Sequence, residues 1–198
     1  MARPRNFDED RALDAAMHTF WEKGYEATST QDLCEATGLG RSSVYNTFKS
    51  KHDLFERALS RYIDSTTAVQ LAILGDSRLS AVERIRVLLN TIVDTEMEHR
   101  AGDRSLGCLT VNTTVEMAAR DPQAAQILAR DTARRLASLR DVLQEGQRDG
   151  SVTSPRDPGA LARFVNAAIG GMRISGQGGA DRAALESIAE ITLDALTL

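Results

Sequence analysis

The stretch from residue 24 to residue 52 constrains this chain most, because its punctuation leaves room for two helices of only about two turns each. Gly24 closes a longer helical segment, and Thr28-Ser29-Thr30 supplies an N-cap, with Gln31 or Asp32 placed to reach back to it. A short helix from Gln31 to Thr37 then stops at Gly38. Leu39-Gly40 makes a tight turn into a second short helix, Arg41 to Phe48, and Lys49-Ser50 breaks the chain again. Two short helices joined by a glycine-containing turn of three or four residues have the geometry of a helix-turn-helix. In that unit the second helix is the one shaped to enter a DNA major groove.

The composition of the second helix agrees. Arg41, Ser42, Ser43, Tyr45, Asn46 and Thr47 are polar or polar-tipped, while Val44 and Phe48, four apart, form one apolar edge. A helix so polar gains little by packing, so this face is presented outward. From Ala36 to His52 there is no acid, whereas Arg41, Lys49 and Lys51 add three positive charges. The whole chain leans the other way, with 24 Lys and Arg against 28 Asp and Glu and a net charge of −4. No global basic field exists, so contact with nucleic acid has to come from this local patch. Arg3 and Arg5 in the N-terminal arm extend it toward phosphate or a minor groove. The plain alternative is a set of solvated helix ends; the ordered run of cap, short helix, glycine turn, polar helix and lysine favours the presented face.

The rest of the 198 residues also reads as helix. Residues 7–23 carry Leu13, Ala16, Met17, Phe20 and Trp21 at helical spacing, and residues 51–72 carry Leu54, Phe55, Ala58, Leu59 and Tyr62. Residues 79–99 follow with Val82, Ile85, Leu88, Leu89 and Ile92. After a break at Ala101-Gly-Asp come a helix from Leu106 to Arg120 and a long one from Asp121-Pro122 to Arg148. Gly150 and Pro155-Arg-Asp-Pro158 link to two closing helices, 158–175 and 181–197. No segment alternates with period two, so the expected fold class is all-α.

Two cysteines, Cys34 and Cys108, suggest no disulfide framework and fit a reducing compartment. The first residues lead into Asp8-Glu-Asp rather than an apolar stretch, and no apolar run approaches the ~20 residues that span a bilayer. The expectation is a cytoplasmic protein without membrane contact. His18, His52 and His99 are scattered, and no Cys-x-x-Cys or His-x-x-x-His spacing occurs, so no metal is expected. Gly-x-Ser-x-Gly and Gly-x-x-x-x-Gly-Lys are absent, and Gly176-x-Gly178-Gly179 follows a helix and fails the dinucleotide fingerprint, so no cofactor is expected. A rival reading, an enzyme or carrier with a helical cavity and a vestigial N-terminal domain, requires a convergent acid/base pair that the sequence does not offer.

Phe20-Trp-Glu-Lys-Gly-Tyr-Glu-Ala-Thr-Ser-Thr-Gln-Asp-Leu, followed by Thr37-Gly-Leu-Gly-Arg-Ser-Ser-Val-Tyr-Asn-Thr-Phe-Lys-Ser-Lys-His-Asp-Leu-Phe, resembles the DNA-binding domain of the TetR family of regulators. The motif match covers residues 7–60; the remainder is similar in length and helix pattern. The resemblance implies a three-helix DNA-binding domain, residues 1–50, on a helical ligand-binding and dimerisation domain, residues 51–198. It implies a homodimer on a palindromic double-stranded operator, with repression relieved by a small-molecule effector. By position, Thr30, Gln31, Arg41, Ser42, Ser43, Tyr45, Asn46, Thr47 and Lys51 match DNA-contacting residues. Arg41 suits a guanine edge, and Tyr45 is either a phosphate contact or a core ring with its hydroxyl outward. Two departures touch the base contacts: Gly40 stands where Ser or Thr is common, and Thr47 where a bulky His or Tyr is frequent.

Met97, Met117 and Met172, with Leu106, Val111 and Phe164, are candidates to line an effector cavity or are core filler. Gly107-Cys108-Leu109 with Asn112 and Glu116 resembles a segment of some branches of the family and adds Cys108, Asn112 and Glu116 to the candidate ligand contacts. Glu96, Glu98 and Glu116 are alternatively a solvated face. Cys108 stands at a helix start with Arg100 and Arg104 near in sequence, a setting for a reactive thiolate; the commoner reading is a small buried residue. Leu161, Phe164, Val165, Ala168, Ile169 and Met172, with Leu185, Ile188, Ala189, Thr192 and Leu196, form two stripes. They are expected to pair across a four-helix dimer interface, or else to be intrachain core.

Overall fold

Helix ends in this chain are set by their caps. The computed structural model describes residues 8–101 and 104–197, so the arm with Arg3 and Arg5 lies outside the described residues. The first helix, α1 (Glu9–Lys23), starts at Asp8, whose carboxylate accepts from the N–H of Asp10 and Arg11. It ends at Gly24, with φ +80° and ψ 170°, an extended residue of positive φ rather than the left-handed cap expected. A Cβ there would also press on Glu116 Oε2 at 3.0 Å, so the positive φ and the tight approach both favour glycine. The second helix, α2 (Thr30–Thr37), opens with a capping box between Ser29 and Asp32 and closes at Gly38 in the left-handed region. The third, α3 (Arg41–Phe48), has Gly40 as N-cap with no side-chain acceptor. The fourth, α4 (Lys51–Leu74), is capped by Ser50.

Five more helices follow among the described residues: α5 (Ala81–Glu98), α6 (Leu109–Met117), α7 (Pro122–Asp149), α8 (Pro158–Gln177) and α9 (Arg182–Thr197). Between α5 and α6 a two-residue antiparallel ladder pairs β1 (Arg100–Ala101) with β2 (Arg104–Ser105). The sequence expects α6 to run from Leu106 to Arg120; the helix is shorter at both ends. Gly107 has φ +63° and donates its N–H to Ser105 Oγ, which makes a turn there and leaves Cys108 as N-cap. At the other end the Met117 carbonyl is taken by the N–H groups of Arg120 and Asp121.

Two cores result. One joins Ala16, Phe20, Leu33, Val44 and Phe48 to Leu54, Phe55, Leu59 and Tyr62 of α4, and reaches Leu109 and Met117 of α6 and Leu128 of α7. Phe20 and Phe55 meet edge to face, ring centroids 5.1 Å apart. The other gathers Ile85, Leu88, Leu89 and Ile92 of α5, Leu139 and Leu143 of α7, and the inner faces of α8 and α9. Helix α4 belongs to both, contributing Leu74 to the second.

Most of the stripe expected at a dimer interface lies in that second core. Leu161, Val165, Ile169, Met172, Leu185, Ala189, Thr192 and Leu196 are all buried within the single chain. This corrects the expectation: an apolar stripe marks burial, and periodicity alone does not distinguish a chain's own core from a partner. The outward faces of α8 and α9 instead expose Phe164 (43%), Ile174 (56%) and Ile191 (64%), with Ala168 and Ile188 partly covered.

Candidate nucleic-acid interface and the cavity behind it

Helix α3 is held by its apolar edge, since Val44 and Phe48 are fully buried and the Arg57 guanidinium lies over the Phe48 ring. Arg41, Ser42, Ser43 and Asn46 consequently face outward and are exposed. Tyr45 is half-buried, and its hydroxyl shares a 2.7 Å hydrogen bond with Thr30 Oγ1 at the start of α2. The Arg41 guanidinium stands 5.9 Å from the Tyr45 ring centre, and Lys51 Nζ stands 4.5 Å from the Tyr25 ring centre. Gln31, also exposed, donates to Glu35. The N-terminus of α3 adds the positive end of the helix dipole, with no side chain of its own closing it. Thr47 departs from this set. It is 8% exposed and sits beside Phe48 on the inner side, which corrects its assignment to the outer face.

Behind this head, α4, α6, α7 and α8 line a solvent-open cavity of about 280 Å³. Thr66, Thr67 and Gln70 come from α4, and Thr110, Val111, Thr114 and Val115 from α6, with Cys108 at the N-cap of that helix. Asp131, Thr132 and Arg135 come from α7, and Asn166, Ile169, Gly170, Arg173 and Ile174 from α8. Thr67 donates to Asp131 at 2.7 Å, and Arg135 binds Asp131, Asn166 and Thr132 together, so these two charges neutralise one another. Cys108 Sγ lies 3.0 Å from Thr110 Oγ1 and accepts from the Tyr62 hydroxyl at 3.5 Å. Burial pushes its thiol pKa up, but the Arg173 charge and these hydroxyls outweigh that and hold it below the ordinary value.

A polar helix on a buried edge, preceded by a capped bracing helix and backed by a closed helical body, is also what similarity to known proteins gives. Residues 12–58 match the family described as bacterial regulatory proteins, tetR family, and residues 81–191 match the tetracyclin repressor-like C-terminal domain. The chain belongs to the TetR family. It is 35% identical over 191 residues to the HTH-type transcriptional repressor ComR of Escherichia coli (strain K12), covering 96% of this chain and 90% of that protein. The uncharacterized HTH-type regulator YezE of Bacillus subtilis (strain 168) is 29% identical over 168 residues, 84% of each chain. Among solved structures, a cysteine mutant of the TetR-family regulator CifR, complexed with 26-bp double-strand operator DNA, superposes with a TM-score of 0.83. It is 28% identical and covers 98% of this chain and all of that one. The protein is therefore a transcription regulator of the helix-turn-helix type, and none of its helices is long and apolar enough to cross a membrane.

Within this TetR-family regulator the residues expected to hold a ligand scatter. Cys108 and Val111 line the cavity. Met172 and, partly covered, Met97 pack in the second core, and Met117 packs in the first. Phe164 is on the outer face of α8, and Asn112 donates to the Leu106 carbonyl. Glu116 proves to be a latch, accepting the N–H of Tyr25 at 3.0 Å and of Glu26 at 2.9 Å. Trp21 Nε1 donates to the Gly107 carbonyl, and His52 Nε2 meets Asp121 Oδ2 at 2.5 Å. The Glu116 and Trp21 contacts fasten the cavity's own helix, α6, and the turn before it to the DNA-reading head, and the His52 contact ties the start of α4 to the start of α7. Arg100 reaches the Ala180 carbonyl rather than Cys108, and the side chain of Arg104 lies outside the described residues. The cavity's polar members, Gln70, Asp131, Arg135 and Arg173, were not singled out by the sequence. A charged residue at one helical position carries no mark of facing inward; only a polar residue within an otherwise apolar stripe, as at Gln70 and Arg173, hints at it.

Proposed function

We propose that this regulator binds a palindromic double-stranded operator as a homodimer in the cytoplasm, represses the adjoining genes, and is released by a small molecule taken into the cavity. The observation that carries the reading is the acid-free face of α3, held outward by the buried Val44–Phe48 edge. ComR is itself named a repressor, and CifR is solved on operator DNA. In our reading residues 1–50 form the DNA-reading part and 51–198 the regulatory part. Arg41, Ser42, Ser43 and Asn46 meet base edges and backbone, while Thr30, Gln31, Tyr45 and Lys51 hold phosphates. The exposed Phe164 and Ile174 of α8, with the partly covered Ala168, meet their counterparts with Ile188 and Ile191 of α9 across a two-fold axis. Two recognition helices then address successive major grooves about 34–36 Å apart.

Release follows from differential affinity. Effector in the cavity favours one placement of α4 and α6, and through Glu116 and Gly107 that placement sets the tilt of the heads. The test is a gel shift against the promoter beside the protein's own gene: tight, salt-sensitive binding there and weak binding to the scrambled sequence are expected. Equal affinity for both would overturn sequence-specific recognition. Sedimentation of Phe164→Glu should show a monomer while Arg148→Glu stays dimeric, and a wild-type monomer at micromolar concentration would remove the dimer.

A further inference from the structure

The cavity wall carries two polar side chains whose donors the protein leaves open to the cavity. Gln70, 9% exposed, hydrogen-bonds to none of the described residues through its amide. Arg173, 7% exposed, makes one long contact through Nη1 to Glu96 at 3.4 Å, and its Nε and Nη2 donate to none of the described residues. Both side chains line the same space. Donors that line a cavity without a protein partner are available to a guest, and a guanidinium holds a carboxylate more strongly than an amide does. Glu96 is an incomplete counter-ion, since burial raises its carboxyl pKa toward the neutral form. It also stands outside the cavity wall.

The other titratable groups around the guanidinium do not cancel its charge. His99, the C-cap of α5, has its pKa lowered, by burial first and by Arg173 second, so it adds little positive charge of its own. Tyr62 of α4 is held protonated by burial. On α7, Asp131 is already matched by Arg135. Besides Glu96, the Cys108 thiol answers Arg173, and that charge lowers its pKa. Arg173 presents its guanidinium to a wall that mixes the hydroxyls of Thr66, Thr110 and Thr114 with the apolar Val111, Val115, Ile169 and Ile174.

We propose that the cavity binds a small organic anion, its charged end on Arg173 and Gln70 and its apolar body against Val111 and Ile169. The inference rests on the reading of this cavity as the effector site and specifies the chemistry of what enters it. A volume of about 280 Å³, open to solvent beside Val115 and Ile174, suits a short-chain or single-ring acid.

Cys108, in the same wall, reports on the site without any knowledge of the natural ligand. Iodoacetate and iodoacetamide both alkylate a thiolate, forming one S–C bond and releasing iodide, and differ chiefly in the carboxylate. The ratio of their rates at Cys108, divided by the same ratio at Cys34 and read by mass spectrometry, cancels the reactivity of the thiol itself. A value of about five or more is expected, the factor that one nearby unit charge supplies even when well solvated. Arg173→Gln should bring it to about one. A ratio at or below one in the wild type, an unchanged ratio in the variant, or a Cys108 inert to both reagents while Cys34 reacts would overturn the proposal.

Should Arg173→Gln fail to fold, a wild-type measurement decides. Benzoate should protect Cys108 from iodoacetamide at concentrations where benzamide, its neutral isostere, does not; equal protection, or none, counts against the anion site. Operator binding of the alkylated protein separates the two claims. Anion preference with unchanged operator affinity keeps the anion site and removes the effector reading. Operator release on alkylation by iodoacetamide, without anion preference, does the reverse.

Discussion

The two cores of this regulator are built from different residues. Eight of its nine aromatic residues fall within the first 62 positions, and Phe20, Phe48, Phe55 and Tyr62 are buried together there. The core around α5, α8 and α9 is almost entirely Leu, Ile, Val and Ala, with Met172. A head made of one medium and two short helices has few positions to bury, so each must remove a large area from water, which rings do. The body has long helices and many positions, so smaller aliphatic residues suffice, and spaces between them can remain for a guest. Small size demands large side chains; a cavity tolerates small ones.

The largest expected effect tests that contrast directly. Phe20→Ala should cost about 3–5 kcal/mol and fall mainly on the head. Trp21, the single tryptophan, lies in the head edge-on to Tyr62, so its fluorescence reports that unit, while far-ultraviolet dichroism reports every helix. The Trp21 midpoint should drop further than the dichroism midpoint in Phe20→Ala, and the order should reverse in Leu89→Ala. Identical shifts by both probes in both variants would show one cooperative unit and break the comparison.

Next in size is the DNA face. Arg41→Ala should weaken the operator complex by about 1–3 kcal/mol and relax one base position. Lys51→Ala should weaken all sequences alike and flatten the salt dependence by about one phosphate contact. Binding titrations across salt, on operator and scrambled DNA, distinguish the two; uniform weakening by Arg41→Ala would return it to the phosphate set.

The latch between the regions comes third. Glu116 gives a carboxylate to two backbone N–H groups in the turn after α1, so Glu116→Ala should cost about 1–2 kcal/mol. Its diagnostic effect is on coupling: cavity ligands should still bind while operator release is blunted. Unaltered coupling in this variant would mean the regions communicate through α4 alone.

The smallest effect is a pH dependence. Burial works to raise the Asp121 pKa, but the N–H of Ala124 and the His52 ring outweigh it, leaving the value below that of an ordinary aspartate. A depressed folded pKa contributes stability that is present above the unfolded value, about 3.9, and is lost as pH falls through the lower folded value. Asp121→Ala should therefore lose about 1 kcal/mol near neutrality, the worth of an N-cap, and show a shallower acid limb in melts below pH 4. An acid limb as steep as the wild type's would assign the dependence to other carboxylates.

Legibility in the sequence differed between the regions for the same reason that their cores differ. Helix ends at Ser29, Gly38, Ser50 and Asp121 were readable because a cap is a local event, decided by residues within about four positions of one another. The outward polar face of α3 was readable because its apolar edge, Val44 and Phe48, is short and sharply set off from the polar positions. Thr47 was misplaced because a helix of eight residues lets a neighbour of Phe48 face either way. The cavity was not readable. Gln70, Cys108, Asp131 and Arg173 come from three helices and the cap of a fourth, and only their packing makes them neighbours.

Taken alone, the order of residues determined that this chain is helical, where most of its helices begin and end, and which short helix is offered to DNA. These follow from caps, periodicity and charge within one or two turns of chain. Tertiary structure decided which apolar stripes of α8 and α9 close the chain's own core and which remain for a partner. It also turned Glu116 from a candidate ligand contact into a clasp on the head, and it left Arg173 and Gln70 lining one cavity with donors that no described residue takes. The physical reason is range: a cap is satisfied by its neighbours in sequence, whereas burial and the partner of a buried charge depend on which helices meet.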